Sequence, residues 1–340
     1  MKLSYWLIAL IFVSATSSAK DTFNVCWSHY IGWEPWYHAE KSGILTKWAE
    51  RYRIKINLQR IDDYLDSVQR FSAGEFDACT MTQIDALTIP AASGIDTTAI
   101  IIGDYSNGND GIATQAVTQL SQLKGQDIRL VSYSVSHYLL ARALSSVGLT
   151  EDDVNIIDSA EDSLLEYWQQ HNDATIVTWT PLLQQALSVK GQLLFDSSSM
   201  HTEILDLMVV HTDSDDRLKH ALTGAWYEVM AQLKHRNTDV YKNIAQSANI
   251  SLVEVYRYYE GTKMFYSAAT AARVANSRAL KKTMKLVNQF GLKHGLLDAN
   301  APIGIAFPQG QVEGDASNIK FRFDSRFMEW FAAEENAAPE

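Results

Sequence analysis

Short apolar runs alternate with segments of helical periodicity over the first two thirds of the chain. Alternating strands and helices predict a mostly parallel, doubly wound sheet, because a parallel strand needs a crossover helix to bring the chain back. Glycine follows several helical segments, as is typical of helix ends. The predicted strands cover residues 23–30, 54–61, 77–81, 97–103, 128–133, 154–157, 175–179, 192–195 and 205–211, and the predicted helices between them cover residues 36–42, 63–73, 83–92, 136–147, 160–170 and 181–189.

This alternation stops at two places. The stretch GDYSNGNDG, residues 103–111, is predicted to be a loop and a hinge; it fits neither tested register of a calcium-binding loop. From residue 213 onward helices predominate, beginning with an amphipathic helix over residues 218–233, and the chain ends in a tail predicted to be irregular. We therefore predict two α/β lobes joined by two crossover segments. Residues 20–104 and 213–340 would form lobe 1, residues 113–205 lobe 2, and residues 105–112 and 206–212 the hinge crossings.

The N-terminus has the pattern of an export signal. Lys2 precedes an apolar run at residues 5–13, and the small residues Ser17 and Ala19 follow. These features predict a signal peptide over residues 1–19. A membrane anchor would need about 20 apolar residues, roughly twice the length of this run. The mature protein is expected to be exported.

Composition excludes several classes of protein. With 340 residues, 46% of them hydrophobic, the chain can bury a core in two lobes. Its formal net charge of −11 argues against a nucleic acid or an anionic membrane surface as partner. The only two cysteines, Cys26 and Cys79, lie in predicted buried strands. We expect free core thiols, with a disulfide as the alternative in an oxidising compartment.

The sequence indicates a binding protein rather than an enzyme. It contains no HExxH pair, no GxSxG elbow and no Walker A loop. Histidines near the predicted cleft, such as His137, are more often structural than catalytic. We predict no metal and no other cofactor.

Two long stretches carry a family resemblance. GWEPWYHAEKSGILTKWAERYRIKINL at 32–58 and FSAGEFDACTMTQIDALTIPAASGIDTTAIIIGDYSNGNDGI at 71–112 resemble periplasmic substrate-binding proteins of the nitrate/sulfonate/taurine type of ABC importers. They are most similar to the branch associated with urea carboxylase, which is linked to urea and guanidine. The second-lobe stretches at 132–157 and 178–181 are similar only to the wider class. The resemblance implies a type II periplasmic binding protein, a two-lobed venus flytrap that closes on a small molecule and delivers it to an ABC transporter permease. It also implies a periplasmic location, and we expect a monomer.

Ligands of open α/β sheets bind beyond the carboxyl ends of the strands. The tryptophans found there either form an aromatic wall or pack in the core, and Thr82 and Asp85 either form a capping box or face the ligand. Ser134 or Ser136 is expected to cap a helix, and the resemblance implies that this helix end holds an oxyanion or a carbonyl. The candidate ligand-binding residues are Trp33, Trp36, Asp63, Tyr64, Thr82, Asp85, Asp104, Asn107, Ser134, Ser136, His137 and Trp179.

The chemistry of these side chains favours a small polar nitrogen compound. Asp85 and Asp104 would accept hydrogen bonds from N–H groups, and the serine helix end would bind an acceptor oxygen. Urea or another amide has both kinds of group, and a guanidinium-like ligand has donors and charge. The candidate loops contain almost no basic side chain for an anion. The alternatives are a binder of a pyrimidine precursor, a sulfonate or nitrate, a periplasmic sensor and, with less support, a secreted enzyme.

Overall fold

Fourteen strands in two sheets form the framework of the part of the chain described by the computed structural model, residues 20–337. The predicted signal peptide, residues 1–19, lies outside these residues. The strands are β1 (Thr22–Trp27), β2 (Lys55–Arg60), β3 (Ala78–Thr82), β4 (Thr97–Ser106), β5 (Asp110–Thr114), β6 (Asp127–Leu130), β7 (Asn155–Asp158), β8 (Thr175–Trp179), β9 (Gln192–Asp196), β10 (Leu205–His211), β11 (Thr262–Met264), β12 (Gly304–Phe307), β13 (Gln311–Gly314) and β14 (Ile319–Phe323).

Helices cover both sheets. None of those in residues 20–337 combines the length and the apolar character that crossing a membrane requires. The helices are α1 (Pro35–Lys41), α2 (Ile44–Arg51), α3 (Tyr64–Ser72), α4 (Gln83–Ala86), α5 (Val135–Ser146), α6 (Glu161–Gln170), α7 (Leu182–Val189), α8 (Asp216–Lys234), α9 (Thr238–Ala248), α10 (Leu252–Glu260), α11 (Ala268–Ala275), α12 (Arg278–Lys293) and α13 (Arg326–Ala337).

The larger sheet has the strand order β13-β12-β14-β4-β10-β3-β1-β2, with β11 also paired to β4. Strands β1, β2 and β3 pair in parallel, as the alternating pattern predicts, whereas β10 runs antiparallel between β3 and β4. All residues of β3 and β4 are buried, since helices cover both faces. We call this sheet with its helices the first lobe.

The smaller sheet has the order β7-β6-β8-β5-β9. Strands β6, β7 and β8 pair in parallel, and β5 runs antiparallel between β8 and β9. Helices α5, α6 and α7 pack on it, and we call this unit the second lobe. The molecule is thus the mixed α/β, two-lobed architecture that the sequence predicts.

The two passages between the lobes differ from the predicted hinges. The first is shorter than 105–112, because β4 continues to Ser106 in one sheet and β5 begins at Asp110 in the other. The second runs through residues 197–204. The prediction of a crossing at 206–212 is wrong, because β10 is an interior strand of the larger sheet. The hydroxyls of Ser106 and Ser197 lie 2.6 Å apart and join the two passages.

Two further expectations are corrected. The tail is regular, since β12, β13 and β14 complete one edge of the larger sheet and α13 packs on α8 and α11. The expectation of free thiols is also wrong, because Cys26 and Cys79 form a disulfide. Parallel pairing of β1 and β3 brings the two residues opposite each other, with a Cα–Cα distance of 4.5 Å. Whether the two cysteines meet depends on the register in which β1 and β3 pair, and the sequence of a single strand does not reveal this register.

Candidate functional site

A cavity lies between the two lobes, where strands of both sheets end. It has an empty volume of about 270 Å³, part of which is continuous with solvent. The first lobe and the second passage contribute side chains, and the second lobe contributes residues from β5, β8 and the start of α5. The lining residues are Tyr30, Trp33, Tyr64, Thr82, Asp110, Val135, Trp179, Ile204 and Asp206.

Four aromatic rings form one wall of this cavity. The ring centroids of Tyr30 and Trp33 are 5.1 Å apart, those of Trp33 and Tyr64 5.5 Å, and those of Tyr64 and Trp179 5.7 Å. Trp179 belongs to the second lobe, so this wall spans the cleft. Its indole N–H lies 3.4 Å from the carbonyl oxygen of His29 in the first lobe. The wall is therefore complete only when the lobes are together.

Gly32 allows the loop after β1 to present this wall. A side chain at this position would place its Cβ 2.5 Å from the Tyr30 ring and 2.6 Å from Oδ2 of Asp104. Contacts this short are not tolerated, so only glycine lets the loop pack directly on the carboxyl. The sequence WSHYIGWEP thus brings Tyr30 and Trp33 over Asp104.

Asp85 lies behind the aromatic wall. Thr82 caps α4 as predicted: its Oγ1 accepts from the backbone N–H of Asp85 at 3.2 Å and donates to Oδ2 of Asp85 at 2.8 Å. The hydroxyl of Tyr64 donates to the same oxygen at 2.5 Å, while Oδ1 has no partner. Burial raises the pKa of Asp85 to about 6, opposed by hydrogen bonds from Tyr64, Thr82 and the backbone N–H of Val135. The last contact reaches Asp85 from the second lobe.

Three more buried carboxyls meet at the cavity. Asp104 and Asp206 are opposite each other in the antiparallel pair β4–β10, and Asp110 begins β5. Their exposed fractions are 0%, 3% and 4%. The Tyr30 hydroxyl donates to Oδ1 of Asp104 at 3.3 Å, whereas Oδ2 of Asp104 and Oδ2 of Asp206 have no partner.

Burial raises the pKa of each of these carboxyls. For Asp110 the pKa rises to about 7, helped by the charge of Asp85 and opposed by a hydrogen bond from Ser106. For Asp206, burial and the neighbouring carboxyls Asp104 and Asp110 raise the pKa well above its ordinary value. Among the groups that act on these carboxyls in the described residues, none carries a positive charge. Uncompensated buried carboxylates are costly, which points to a cationic or N–H-rich ligand.

The cavity contains part of the predicted set. Trp33, Tyr64, Thr82 and Trp179 line it, and Asp85 and Asp104 lie directly behind the lining. At the N-terminus of α5, Ser134 caps the helix by accepting from the N–H of Ser136 at 3.2 Å. The backbone N–H of Val135, also at this helix end, lowers the pKa of Asp85, so the start of α5 already faces a carboxyl of the protein.

Other predicted residues lie elsewhere. Trp36 is a core residue, with its ring centroid 5.1 Å from that of Trp226. Asn107 lies in the first passage, where its backbone N–H donates to the carbonyl of Gly261 at 3.0 Å. Asp63 caps α3, accepting from the N–H of Asp66 at 3.0 Å, and lines a more open cavity outside the aromatic wall.

His137 belongs to a separate cluster between the lobes. Its Nε2 lies 2.9 Å from Oε1 of Glu151, and Nε2 of His294 lies 3.0 Å from the same oxygen. Lys293 pairs with the other oxygen of Glu151. Nδ1 of His137 accepts from the backbone N–H of Tyr133 at 3.1 Å, so the neutral ring carries its proton on Nε2. His137 therefore turns Nε2 towards Glu151 and does not line the aromatic cavity.

Sequence reasoning missed Tyr30, Asp110 and Asp206. Asp206 is the only charged residue within the apolar strand LDLMVVH, and an isolated acid in a buried strand is a signal that could have been used. Tyr30 ends an apolar run and resembles a core residue. Asp110 was included only as part of the predicted hinge.

Solved structures of binding proteins resemble this fold. The alkanesulfonate-binding protein SsuA of Xanthomonas axonopodis pv. citri, bound to MOPS, aligns with a TM-score of 0.67 and 15% identity over 84% of this chain and 97% of its own. The periplasmic aliphatic sulphonate-binding protein SsuA of Escherichia coli aligns with a TM-score of 0.64 and 16% identity over 82% of this chain and 89% of its own. The periplasmic nitrate-binding protein NrtA of Synechocystis PCC 6803 aligns with a TM-score of 0.55 and 9% identity over 69% of this chain and 68% of its own.

Sequence comparison adds no closer relationship. No family model matches the chain, and no curated protein sequence matches it. Identities of 9–16% carry information on fold and not on ligand. The TM-scores of 0.55–0.67 over 69–84% of this chain show that it has the fold of the periplasmic binding proteins.

Proposed function

We propose that this protein is an exported solute-binding protein that captures a small polar nitrogen compound between its lobes and delivers it to an ABC importer. The compound is urea, another amide or a guanidinium-like cation. The observation that carries the proposal is the set of four buried carboxyls, without a basic partner among the described residues, next to a cavity walled by four aromatic rings.

Within this class, the site chemistry favours the guanidinium-like ligand over neutral urea. A planar cation is attracted by the faces of Trp33, Tyr64 and Trp179, and its N–H groups match carboxylate oxygens such as Oδ2 of Asp206, which lines the cavity and has no partner. Bringing a positive charge next to these carboxylates offsets the cost of burying them. The size of the cavity also restricts the ligand to a few heavy atoms.

Neutral urea would need a donor for its carbonyl oxygen. The indole N–H of Trp33 is buried and has no partner, so it is the available donor in the lining. The helix end at Ser134 is less suitable than the sequence suggests, since Ser134 already accepts from the N–H of Ser136 and the N–H of Val135 faces Asp85. Urea therefore remains the second candidate.

Anionic ligands fit this cavity poorly. The neighbours include proteins that bind alkanesulfonate and nitrate, and an anion needs donors or positive charge around it. Here the lining has no Lys, Arg or His, while Asp110 and Asp206 face the cavity. Nitrate or a sulfonate would meet like charge in a buried site. A pyrimidine precursor would need a larger aromatic slot.

The proposed location is the periplasm, reached through the predicted signal peptide, and the proposed partner is the membrane permease of the importer. The fold supports a binding role, in which the lobes close on the ligand and no bond of the ligand changes. A periplasmic sensor uses the same binding step and differs only in its partner. Uptake of labelled ligand by cells with and without the gene separates import from sensing.

Calorimetric titration of the mature protein with guanidinium chloride, urea, acetamide, taurine and nitrate tests the ligand class. We expect guanidinium to bind most tightly and urea more weakly. Tight binding of taurine or nitrate, together with weak or no binding of the nitrogen compounds, would refute the proposal. Trp33→Phe serves as a matched variant: it keeps the ring and removes the N–H, so we expect it to weaken urea binding more than guanidinium binding.

A further inference from the structure

The two carboxyls Asp104 and Asp206 form a buried pair directly beside the cavity. They are cross-strand neighbours in β4 and β10, with exposed fractions of 0% and 3%. Directly opposite residues of an antiparallel pair have neighbouring side chains, and two carboxyls can hydrogen-bond to each other only when one of them carries a proton. Oδ2 of each carboxyl is otherwise without a partner. The pair is therefore built to hold a proton when nothing else neutralises it.

The surroundings of the pair supply no positive charge among the described residues. The loop after β1 contributes Tyr30, β5 contributes Asp110, α10 contributes Tyr259, and the segment after β11 contributes Tyr266. Beyond these groups, Asp85 acts on Asp110, and Glu34 acts on Tyr259. All of these groups are neutral or acidic. Two adjacent carboxyls in such surroundings cannot both ionise until a cation arrives.

We propose that the Asp104–Asp206 pair holds one proton in the ligand-free protein and that a bound cation replaces this proton, which leaves for the solvent. This inference rests on the proposed function in its cationic form. In the exchange, one carboxyl O–H bond breaks, the electron pair stays on the oxygen, and the positive charge of the ligand takes the place of the proton. The total charge of the two carboxyls and the proton or cation that they hold stays the same. No electron is transferred, so the step needs no redox partner.

The exchange has a consequence with a definite sign. Because binding releases a proton, the affinity for the cation rises with pH, by up to about tenfold per pH unit while the free pair is still protonated. Above the pH at which the free pair ionises, the affinity becomes constant. A neutral ligand such as urea does not replace the charge, so its affinity should change little with pH.

Calorimetry in two buffers of different ionisation enthalpy tests the exchange directly. Guanidinium chloride is titrated into the full mature protein in phosphate and in Bis-Tris at about pH 6, and in phosphate and in Tris at about pH 8. At the lower pH, we expect roughly one proton to be released per ligand bound. The binding enthalpies measured in the two buffers should then differ by about the difference between the buffers' ionisation enthalpies. In parallel, the infrared band of a protonated carboxyl should disappear when guanidinium is added.

Asp206→Asn provides the matched variant, since it replaces one member of the pair with a neutral side chain of the same shape. We expect it to abolish proton release, flatten the pH dependence and lower the affinity at the higher pH about tenfold or more. Asp213→Asn, at an exposed acid beyond the end of β10, should behave like the wild type. Circular dichroism and the melting temperature verify that both variants are folded.

The outcomes separate the two proposals. If the wild type binds guanidinium with the same enthalpy in both buffers and with no pH dependence, the exchange is wrong and the proposed function stands. If the wild type fails to bind guanidinium at either pH, the cationic form of the proposed function is wrong, and the exchange fails with it. Proton release that persists in Asp206→Asn would also overturn the assignment, because it would place the proton on another group.

Discussion

Replacing Asp110 by asparagine should make the ligand-free protein more stable, although Asp110 faces the cavity. Asp110 is 4% exposed, and burial raises the pKa of its carboxyl from the ordinary 3.8 to about 7. These values differ by about 3 pH units, and each unit corresponds to about 1.4 kcal/mol. At a pH above 7, the buried charge therefore lowers the free energy of unfolding by roughly 4 kcal/mol, a cost that asparagine removes.

The sign of the pH dependence follows from the raised pKa. Between the two pKa values the folded state binds more protons than the unfolded chain, so the stability of the wild type falls as the pH rises. At about pH 5, Asp110 is still protonated in the folded protein, and the gain from asparagine shrinks to roughly 2 kcal/mol. At a pH well below 3.8, it should vanish.

Differential scanning calorimetry is the suitable assay, because the two common denaturants, urea and guanidinium, are themselves candidate ligands. For a chain of this length, the gain corresponds to an increase in melting temperature of about 6 °C at pH 8 and about 3 °C at pH 5. The same variant should bind guanidinium more weakly. Asp213→Asn is the control and should show neither effect. A loss of stability at both pH values, or a gain that does not change with pH, would refute the reasoning.

Three other perturbations follow from the structure. Glu151→Gln removes the second-lobe charge that contacts Lys293 and His294 of the first lobe, so the ligand-free protein should open further and show a larger radius of gyration by small-angle scattering. Trp179→Ala removes the second-lobe part of the aromatic wall, and calorimetry should show the affinity for guanidinium falling about 30-fold, the equivalent of about 2 kcal/mol. Replacing Cys26 and Cys79 together by serine opens a cross-link between residues 53 positions apart, which should lower the free energy of unfolding by about 4 kcal/mol in thermal melts.

Each of these has a control. Asp152→Asn changes an exposed acid beside Glu151 and should leave the scattering curve unchanged, whereas an equal opening in both variants would contradict the role given to Glu151. Trp179→Phe should retain much of the affinity. The disulfide prediction fails if mass spectrometry of the exported, unreduced protein finds two free thiols.

The local pattern was enough to predict most of the framework. Strands β8 and β10 have the predicted bounds, because each is a short, fully apolar or nearly apolar run next to a helical segment. The helix over residues 218–233 lies within α8 for the same reason. The tail was missed because β12, β13 and β14 are short, and only the pairing of β14 with the distant strand β4 joins them to the rest of the sheet.

The candidate site was predicted less completely, and the reason is physical. Trp33 and Trp36 are three residues apart in the same loop and helix start, yet one faces the cavity and the other packs on Trp226. The local sequence cannot tell which of the two tryptophans faces the cavity. The direction of each side chain depends on which distant parts of the fold pack against it. Asp206 and Asp104 meet because β10 returns antiparallel beside β4. That juxtaposition is a property of topology and register.

The parallel pairing of β14 with β4 has a consequence for the order in which the chain can fold. Residues 321–323 pair with residues 97–99, so the first lobe lacks this neighbour of β4 until almost the whole chain has emerged. All strands of the second lobe, by contrast, come from residues 110–196. The second lobe can therefore form early from a contiguous segment, while the first lobe must wait for a loop closure of more than 200 residues. The pairing of β14 thus determines when the first lobe is complete.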